Sequence, residues 1–258
     1  MFNGDEANMK REIKIVAISD THGHHRKADI PDGDVLVHAG DFMTCGRKLS
    51  EVLDFADWFS DQPHEHKILV AGNHDRLLER DERVCLKEFS KNVTYLRDSG
   101  VEIRGWKFWG SPYQPEFCNW AFNVPRGPAI RRHWDMIPDD TDMLITHGPP
   151  MGIGDQCVRF PTGVKGYNYI IPPTEHLGCS DLLIKVRAVN PELHIFGHIH
   201  GGRGLYPPTP GDQPDWKPSF ENKQWNPRMK TQFANVAFCD EAYQPTGNPF
   251  TFWFCERE

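Results

Sequence analysis

Five short apolar runs, each followed at once by polar residues, are the feature of this sequence that most restricts its fold. Each run has the length of a β-strand and is apolar almost throughout, which is typical of strands buried on both faces of a sheet. Amphipathic or polar stretches separate the runs, so the order predicts an α/β fold. The runs are IKIVAIS (13–19), DVLVHAG (34–40), HKILVAG (66–72), DMLITHG (142–148) and ELHIFGH (192–198).

Three helices and a second group of strands are predicted between these runs. Apolar residues recur at helical spacing over 48–60, and weaker patterns indicate helices over 76–90 and 180–189. The segments 93–97 and 101–111 have strand character and are joined by a turn-like D-S-G sequence, which predicts a β-hairpin.

The C-terminal part of the chain changes character. Residues 204–228 are rich in Pro, Gly, Trp and Asn without any period, so we interpret them as an irregular insertion. Further strands are expected at 232–239 and 250–255. Because 38% of the 258 residues are hydrophobic, the whole range 1–258 is expected to form a single domain.

Composition restricts the partners that the protein is expected to bind and the compartment in which it is expected. The formal net charge of −7 and the pI near 6.0 argue against a surface for nucleic acid or for an anionic membrane. The seven cysteines are odd in number and show no C-x-x-C pair, so no disulfide framework is expected. The N-terminal residues lack the apolar core of a signal peptide, and no run approaches the ~20 apolar residues that span a bilayer. We therefore expect a cytoplasmic protein with no membrane partner.

Aspartate, asparagine and histidine residues follow the five runs where the strands are predicted to end. Because α/β sheets gather their sites at the carboxyl ends of the strands, these side chains are expected to meet in one pocket. Carboxylates and imidazoles buried together are costly unless they are paired or bind cations, so the pattern predicts two metal ions. The residues are Asp20, His22, Asp41, Asn73, His74, His147, His198 and His200.

The motifs D-x-H, G-D, G-N-H-[DE], H-G and G-H-x-H, in this order from Asp20 to His200, resemble those of the calcineurin-like metallophosphoesterase superfamily. GDVLVHAGDF, GSPYQPEFCNWAFNVPRG, THGPPMG and LHIFGHIHGG are similar to the metallophosphoesterase-domain-containing proteins. That group is similar in turn to the class III cyclic nucleotide phosphodiesterases. The resemblance implies a metallophosphoesterase-type αββα sandwich, in which two mixed sheets are flanked by helices.

The resemblance also implies the ligands of a dinuclear metal centre. The first ion is assigned to Asp20, His22, Asp41 and His200, and the second to Asp41, Asn73, His147 and His198. Asp41 then bridges the ions and takes part in catalysis, because an anionic carboxylate can bind two cations that are ~3.5–4 Å apart. Oxygen and nitrogen donors suit Mn and Fe, with Zn, Co and Ni as alternatives.

The reaction that we infer is in-line attack of a metal-bridging hydroxide on phosphorus. His74 is not a ligand in the family, and we expect it to stabilise the transition state or to protonate the leaving oxygen, with Asp75 or nearby backbone orienting its ring. Asn73 and His74 are also expected to contact the substrate, as is His176 in the loop 149–180.

The segment after Asp41 indicates the substrate class. Protein phosphatases of the superfamily resemble GDxxDRG here, and their arginine helps to bind a phosphomonoester dianion, whereas this chain has Cys45 at that position. A phosphodiester, which carries a single negative charge at phosphorus, is therefore favoured, and small nucleotides, including cyclic ones, are the expected substrates. Arg47, Arg159 and Lys165 are further candidates for substrate contact.

Two other classes of function stay open. The chain is alternatively a non-catalytic metal-binding scaffold, although the complete set of ligand residues argues against this class. It is alternatively a nuclease of the same superfamily, which the acidic composition disfavours.

Several other histidines and tryptophans have structural interpretations. His38 is expected to pack against a helix, and His64, His66 and His133 are expected at the surface. The tryptophans are expected mainly to fill the core or to anchor loops, although Trp120, or alternatively Phe122, is also a candidate for contact with a nucleobase. They are Trp106, Trp109, Trp120 and Trp134.

Overall fold

Two mixed β-sheets stack face to face at the centre of the protein, and helices cover their outer faces. The computed structural model describes residues 12–157, 175–207 and 230–255. The strands are β1 (Glu12–Ile18), β2 (Val35–Ala39), β3 (His66–Val70), β4 (Val93–Tyr95), β5 (Ser99–Ile103), β6 (Trp106–Ser111), β7 (Gln114–Pro115), β8 (Asn123–Val124), β9 (Met143–Thr146), β10 (Leu193–Phe196), β11 (Gly204–Tyr206), β12 (Gln232–Asn235) and β13 (Phe250–Cys255). The helices are α1 (Leu49–Ser60), α2 (Arg76–Arg80), α3 (Glu82–Leu86), α4 (Pro128–Asp135) and α5 (Ser180–Val189).

Parallel pairing dominates both large sheets. The first sheet has the strand order β13-β1-β2-β3-β4, in which β13 alone is antiparallel to its neighbour. The second has the order β11-β12-β10-β9-β6-β5, with antiparallel pairs at both edges. The carboxyl ends of the parallel strands therefore lie together at one edge of each sheet.

The inner faces of the two sheets meet in one apolar layer. In β1, Ile13, Ile15 and Ala17 belong to this layer, while Val16 between them packs on the opposite face of the strand. Since β1, β2 and β3 are covered on both sides, their apolar runs need no alternation with polar residues. The second sheet contributes Phe108, Met143, Ile145, Leu193, Ile195 and Ala234.

The outer layers are formed by amphipathic helices. Phe55 and Phe59 of α1 pack against Leu36 on the outer face of the first sheet. Trp134 of α4 packs in one cluster with Leu144 on the outer face of the second sheet, together with residues of α5. These four layers confirm the αββα sandwich. No helix within the described ranges combines the length and the hydropathy needed to cross a bilayer.

The five apolar runs all form strands, and the predicted helices over 48–60 and 180–189 are confirmed as α1 and α5. The helix predicted over 76–90 is two short helices, because the backbone of Asp81 leaves the helical region with φ −131° and ψ 46°. Helix α4 was not predicted. The strands predicted near 232 and 250 are confirmed, whereas most of the insertion 204–228 lies outside the described residues and its first residues form β11.

The predicted hairpin of 93–97 with 101–111 is wrong. Strand β4 pairs parallel with β3 in the first sheet, while β5 and β6 form the hairpin in the second sheet. The hairpin turn lies at Arg104 and Gly105, whose φ angles of 50° and 83° match the left-handed two-residue turns that connect such strands. The D-S-G segment therefore carries the chain from one sheet to the other.

The structure confirms the interpretation of His38 and contradicts that of His64. His38 packs against Phe55 of α1 with ring centroids 4.9 Å apart, as expected. His64, expected at the surface, is buried, and one of its ring nitrogens hydrogen bonds to the carbonyl oxygen of Pro31 at 3.1 Å. This bond gives a partner to Nε2, one of the two ring nitrogens, and so lowers the cost of burying the imidazole.

Candidate metal centre

The predicted metal ligands converge at the carboxyl ends of strands from both sheets. Backbone hydrogen bonds join these ends: the N–H of Asp20 donates to Gly40 O at 2.8 Å, and the N–H of Gly197 donates to His147 O at 2.9 Å. Five of the side chains are buried and the two that follow β10 are half-buried. The structure brings together Asp20, His22, Asp41, Asn73, His147, His198 and His200.

Four of these residues have a backbone conformation that side chains other than glycine rarely adopt. The φ angles are 52° at Asp20, 43° at His22, 56° at Asp41 and 67° at His198. Each such residue costs about 1–3 kcal/mol, and strain of this kind concentrates at functional sites. The chain therefore bends sharply directly after the strands, at the residues whose side chains enter the cluster.

Asp20, His22 and His200 form the first group. His22 Nε2 lies 3.2 Å from His200 Nε2, and His200 Nε2 lies 3.4 Å from Asp20 Oδ1. The backbone N–H of His198 donates to the Asp20 carboxylate at 3.0 Å and fixes its direction. The three side chains thus present their donor atoms to a common point.

Asn73, His147 and His198 form the second group. His147 Nε2 lies 2.9 Å from Asn73 Oδ1, and the His147 and His198 ring centroids are 5.0 Å apart. Asp41 faces both groups, because its Oδ2 atom is 3.4 Å from His147 Nε2 and 3.9 Å from His22 Nε2.

Backbone carbonyls fix the tautomers of three histidines. Each carbonyl accepts a hydrogen bond from Nδ1, so Nδ1 carries the proton and Nε2 of the neutral ring keeps its lone pair. Histidines that bind metals through Nε2 commonly donate the N–H of their other ring nitrogen in this way. The bonds are His22 to Met43 O at 3.3 Å, His147 to Ala39 O at 2.9 Å and His200 to Asp240 O at 2.7 Å.

The donor set fits two cations. His22 Nε2 and His200 Nε2 face each other at 3.2 Å, and His147 Nε2 faces the Asn73 oxygen at 2.9 Å. Acceptor atoms at these distances repel each other unless a positive charge lies between them. Two carboxylates, one amide oxygen and four imidazoles are donors that divalent transition metals bind.

The pKa shifts of the histidines also indicate that the site favours a cation. Burial lowers the pKa of His22 and of His198 to about 3, so both rings are neutral. Burial also opposes a charge on His147, but the Asp41 carboxylate raises the pKa of this ring to about 9. The pocket therefore stabilises a positive charge beside Asp41, and a bound cation would replace the proton there.

His74 borders the first group. Its Nδ1–H donates to Thr44 O at 2.5 Å, and its ring centroid is 4.6 Å from that of His22. The expectation that Asp75 orients this ring is wrong, because the Asp75 carboxylate is occupied by backbone N–H groups. The alternative, orientation by nearby backbone, is what the Thr44 carbonyl provides.

The comparison with protein families decides the identity of the fold. Residues 13–202, more than half of the chain, match the calcineurin-like phosphoesterase family. The chain belongs to this family. Its members hydrolyse phosphoesters with a dinuclear metal centre, and the clustered Asp and His side chains are the candidate ligands of that centre in this phosphoesterase.

Relatives of this phosphoesterase are similar over most of its length. Metallophosphoesterase domain-containing protein 1 of Homo sapiens is 34% identical over 259 residues, which cover 92% of this chain and 69% of the relative. UPF0046 protein K07C11.7 of Caenorhabditis elegans is 33% identical over 258 residues, which cover 95% of this chain and 76% of the relative. These similarities confirm the resemblance carried by the sequence motifs.

Two aromatic residues lie at the phosphoesterase centre, although the sequence motifs predict no role there for one of them and mainly a packing role for the other. Trp120, expected mainly in the core or as a loop anchor, stacks on His74 with ring centroids 4.2 Å apart and an interplanar angle of 23°. The Arg76 guanidinium carbon lies 4.4 Å from the Trp120 ring centroid. The ring of Tyr243 contacts His22 at 4.7 Å. No motif of the sequence marks Tyr243, since it lies far beyond the last histidine of the cluster.

The remaining predicted substrate contacts are bonded to another side chain, exposed, or outside the described residues. His176 Nδ1 bonds to Asp155 Oδ1 at 2.7 Å, and half of the loop 149–180 that contains it is not described. Arg47 is exposed just after the loop of Asp41. Arg159 and Lys165 lie outside the described residues. The role of His176 in substrate binding stays a prediction.

Proposed function

We propose that this phosphoesterase is a dinuclear metal-dependent phosphodiesterase. The observation that carries the proposal is the position of Asp41, whose Oδ2 atom faces His22 Nε2 at 3.9 Å and His147 Nε2 at 3.4 Å. A carboxylate between two groups of nitrogen and oxygen donors is what a pair of neighbouring cations requires. The first ion would be held by Asp20, His22, Asp41 and His200, and the second by Asp41, Asn73, His147 and His198.

The bound ions supply Lewis acidity, which neutralises charge on the phosphoryl oxygens and makes water a better nucleophile at neutral pH. The residues of the chain prepare the site for that chemistry. Asp20 and Asp41 supply negative charge, whereas Asn73 supplies a neutral oxygen, so the second site carries less negative charge than the first. The hydrogen bonds from Nδ1 to backbone carbonyls hold the ligand imidazoles in place before the substrate binds.

His74 is the proposed source of the proton for the leaving oxygen. Its Nδ1–H is occupied by Thr44 O, and its backbone N–H donates to Asp41 Oδ1 at 2.7 Å. Nε2 is therefore the ring atom that remains to hold and deliver a proton beside the first metal site. The stacked ring of Trp120 restricts rotation of the imidazole.

The proposed substrate is a phosphodiester that carries a planar group, such as the base of a nucleotide, and the proposed ions are Mn and Fe. Cys45 replaces the arginine that binds a monoester dianion in related protein phosphatases. Phe117, which is 38% exposed, has its ring centroid 6.2 Å from that of His198, and Trp120 borders the other side at His74. Two partly exposed rings at the border of the cluster favour a planar group.

Elemental analysis and turnover of the purified protein test the proposal. We expect two metal equivalents per chain and hydrolysis of bis-p-nitrophenyl phosphate and of cyclic nucleotides that a chelator abolishes. Asp41→Ala should remove metal and turnover together. The control Asp57→Ala changes an exposed carboxylate on α1 that pairs with Arg26 and should leave both unchanged. Full metal content without turnover on any ester would contradict the proposal.

A further inference from the structure

A closed turn at 239–245 brings Tyr243 to the metal centre. The backbone N–H of Asp240 donates to Gln244 O at 2.9 Å, and Asp240 Oδ1 accepts from the Gln244 N–H at 2.9 Å. The Tyr243 N–H donates to Asp240 O at 2.9 Å. These bonds give Tyr243 a defined position relative to the turn.

The same turn is bonded to the first group of ligands. Asp240 O, which accepts from the Tyr243 backbone, also accepts from Nδ1 of His200 at 2.7 Å. A displacement of the turn therefore moves the carbonyl that sets the tautomer and the direction of the His200 ring.

The Tyr243 side chain contacts the imidazoles of this group directly. Its ring centroid is 4.7 Å from that of His22 and 5.5 Å from that of His200, both at interplanar angles of 81°. Edge-to-face contact is one of the arrangements that aromatic rings prefer. The ring of His74 lies 5.9 Å away at 56°.

We propose that Tyr243 is a positioning residue that holds His22 and His200 in the orientation required by the first metal ion. This inference rests on the ligand assignment of the proposed function. The second group is held differently, because His147 bonds to Ala39 O and its ring packs against His198. Loss of the Tyr243 ring should therefore weaken one metal site and spare the other.

The backbone of Tyr243 decides which substitution tests the ring alone. Its φ angle of 58° is left-handed, so alanine would add strain that has nothing to do with the ring. Asparagine tolerates this conformation better than most residues, and Tyr243→Asn removes the ring without that added strain. Tyr243→Phe keeps the ring and removes the hydroxyl.

The experiment is a calorimetric titration of the metal-free full chain with Mn²⁺. The wild type should show two binding steps. In Tyr243→Asn, one step should weaken about 10-fold or more, as for other residues that orient metal ligands, while the second keeps its affinity. Tyr243→Phe and the matched control Gln244→Ala, which changes an exposed side chain of the same turn, should bind like the wild type.

The outcomes separate this inference from the ligand assignment. His22→Ala should weaken the same step as Tyr243→Asn. If His22→Ala weakens a step and Tyr243→Asn changes neither, the positioning role is wrong and the assignment stands. If His22→Ala changes neither, the assignment itself is wrong. Equal weakening of both steps in Tyr243→Asn, or an equal effect of Tyr243→Phe, would also overturn the role of the ring. Thermal unfolding of each metal-free variant checks the fold, and Tyr243→Gly replaces the asparagine variant if that one is unfolded.

Discussion

Asp75 Oδ2 accepts a hydrogen bond from the backbone N–H of Asp41 at 2.9 Å, so one buried carboxylate holds the segment that carries another. Asp75 also accepts from the N–H groups of Gly72 at 2.7 Å and Met43 at 3.0 Å. Its side chain thus joins the loop after β2 to the loop after β3, which bring Asp41 and Asn73 to the cluster.

Asp75→Asn should destabilise the protein and weaken metal binding. The amide offers one accepting oxygen and places a donor against a backbone N–H, so a buried N–H loses its partner. We expect a decrease of about 1–3 kcal/mol in the free energy of unfolding. Denaturant titration of the metal-free protein and elemental analysis measure the two effects.

Asp34→Asn is the matched control for this variant. Asp34 Oδ2 accepts from the backbone N–H of Lys14 at 2.8 Å, at the amino end of the first sheet. This change should lower stability without affecting metal content. Normal metal content in Asp75→Asn would show that the carboxylate is not needed to position the ligands.

Gly72→Ala should disrupt the second metal site. An added Cβ would lie 2.2 Å from Asp41 Oδ1 and 2.6 Å from His147 Cε1, so both proposed ligands must move. We expect loss of at least one metal equivalent and of phosphodiester turnover, measured on the same preparation. Gly148→Ala is the control, since its Cβ would meet Gln114 Cβ at 3.1 Å and, apart from its two chain neighbours, no other atom within 4 Å. Equal metal content in the two variants would refute the prediction.

His74→Gln should lower kcat by about 10²–10⁴-fold while metal content stays intact, because the side chain delivers a proton and binds no ion. Trp120→Leu should give a smaller decrease, since it removes only the ring that restricts His74. Trp253→Leu changes a tryptophan that is 61% exposed in β13 and should leave kcat unchanged. Steady-state kinetics on a diester test all three variants, and wild-type kcat in His74→Gln would exclude the role.

The buried ring of His194 should make stability depend on pH. Burial lowers its pKa to about 3 in the folded protein, whereas the unfolded chain binds the proton near pH 6.5. The unfolded state therefore binds more protons as the pH falls below about 6.5, and stability decreases by up to ~1.4 kcal/mol per pH unit from this group.

His194→Gln tests this dependence in the metal-free protein. Glutamine keeps a partner for the Thr146 hydroxyl, which lies 2.9 Å from His194 Nε2, but it does not titrate. Because of the altered packing, the variant should be less stable than the wild type at pH 7.5, and the difference should shrink on acidification towards pH 4.5. A difference that is constant between these pH values would contradict the assignment of the proton to His194.

The loops that carry the metal ligands were predictable because each ligand and the strand before it lie in the same short segment of sequence. Asp20, Asp41 and His147 each follow an apolar run whose length and composition identify a buried strand, and the carboxyl ends of parallel strands meet by geometry. Burial on both faces is also why these runs lack alternation and are easily recognised.

The parts that depend on long-range packing were not predictable. The D-S-G segment has the composition of a hairpin turn, yet Asp98, with φ 45°, turns the chain towards the other sheet. In α4 only Ile130 and Trp134 are buried, which is too weak a pattern to reveal a helix. Tyr243 reaches the centre through a turn held by hydrogen bonds, and the sequence of that turn has no distinctive motif.

The left-handed backbone at Asp20, His22, Asp41 and His198 also limits how these positions can change in evolution. Glycine is the replacement that the backbone would accept most readily, but it has no atom that can bind a cation. A larger donor side chain keeps the chemistry only where the surrounding structure holds the same strained bend. Substitution at these four positions is therefore disfavoured both by the backbone strain and by the need for a ligand atom. A glycine found there in a relative would mean that a metal ligand has been lost, and it would not be a neutral exchange.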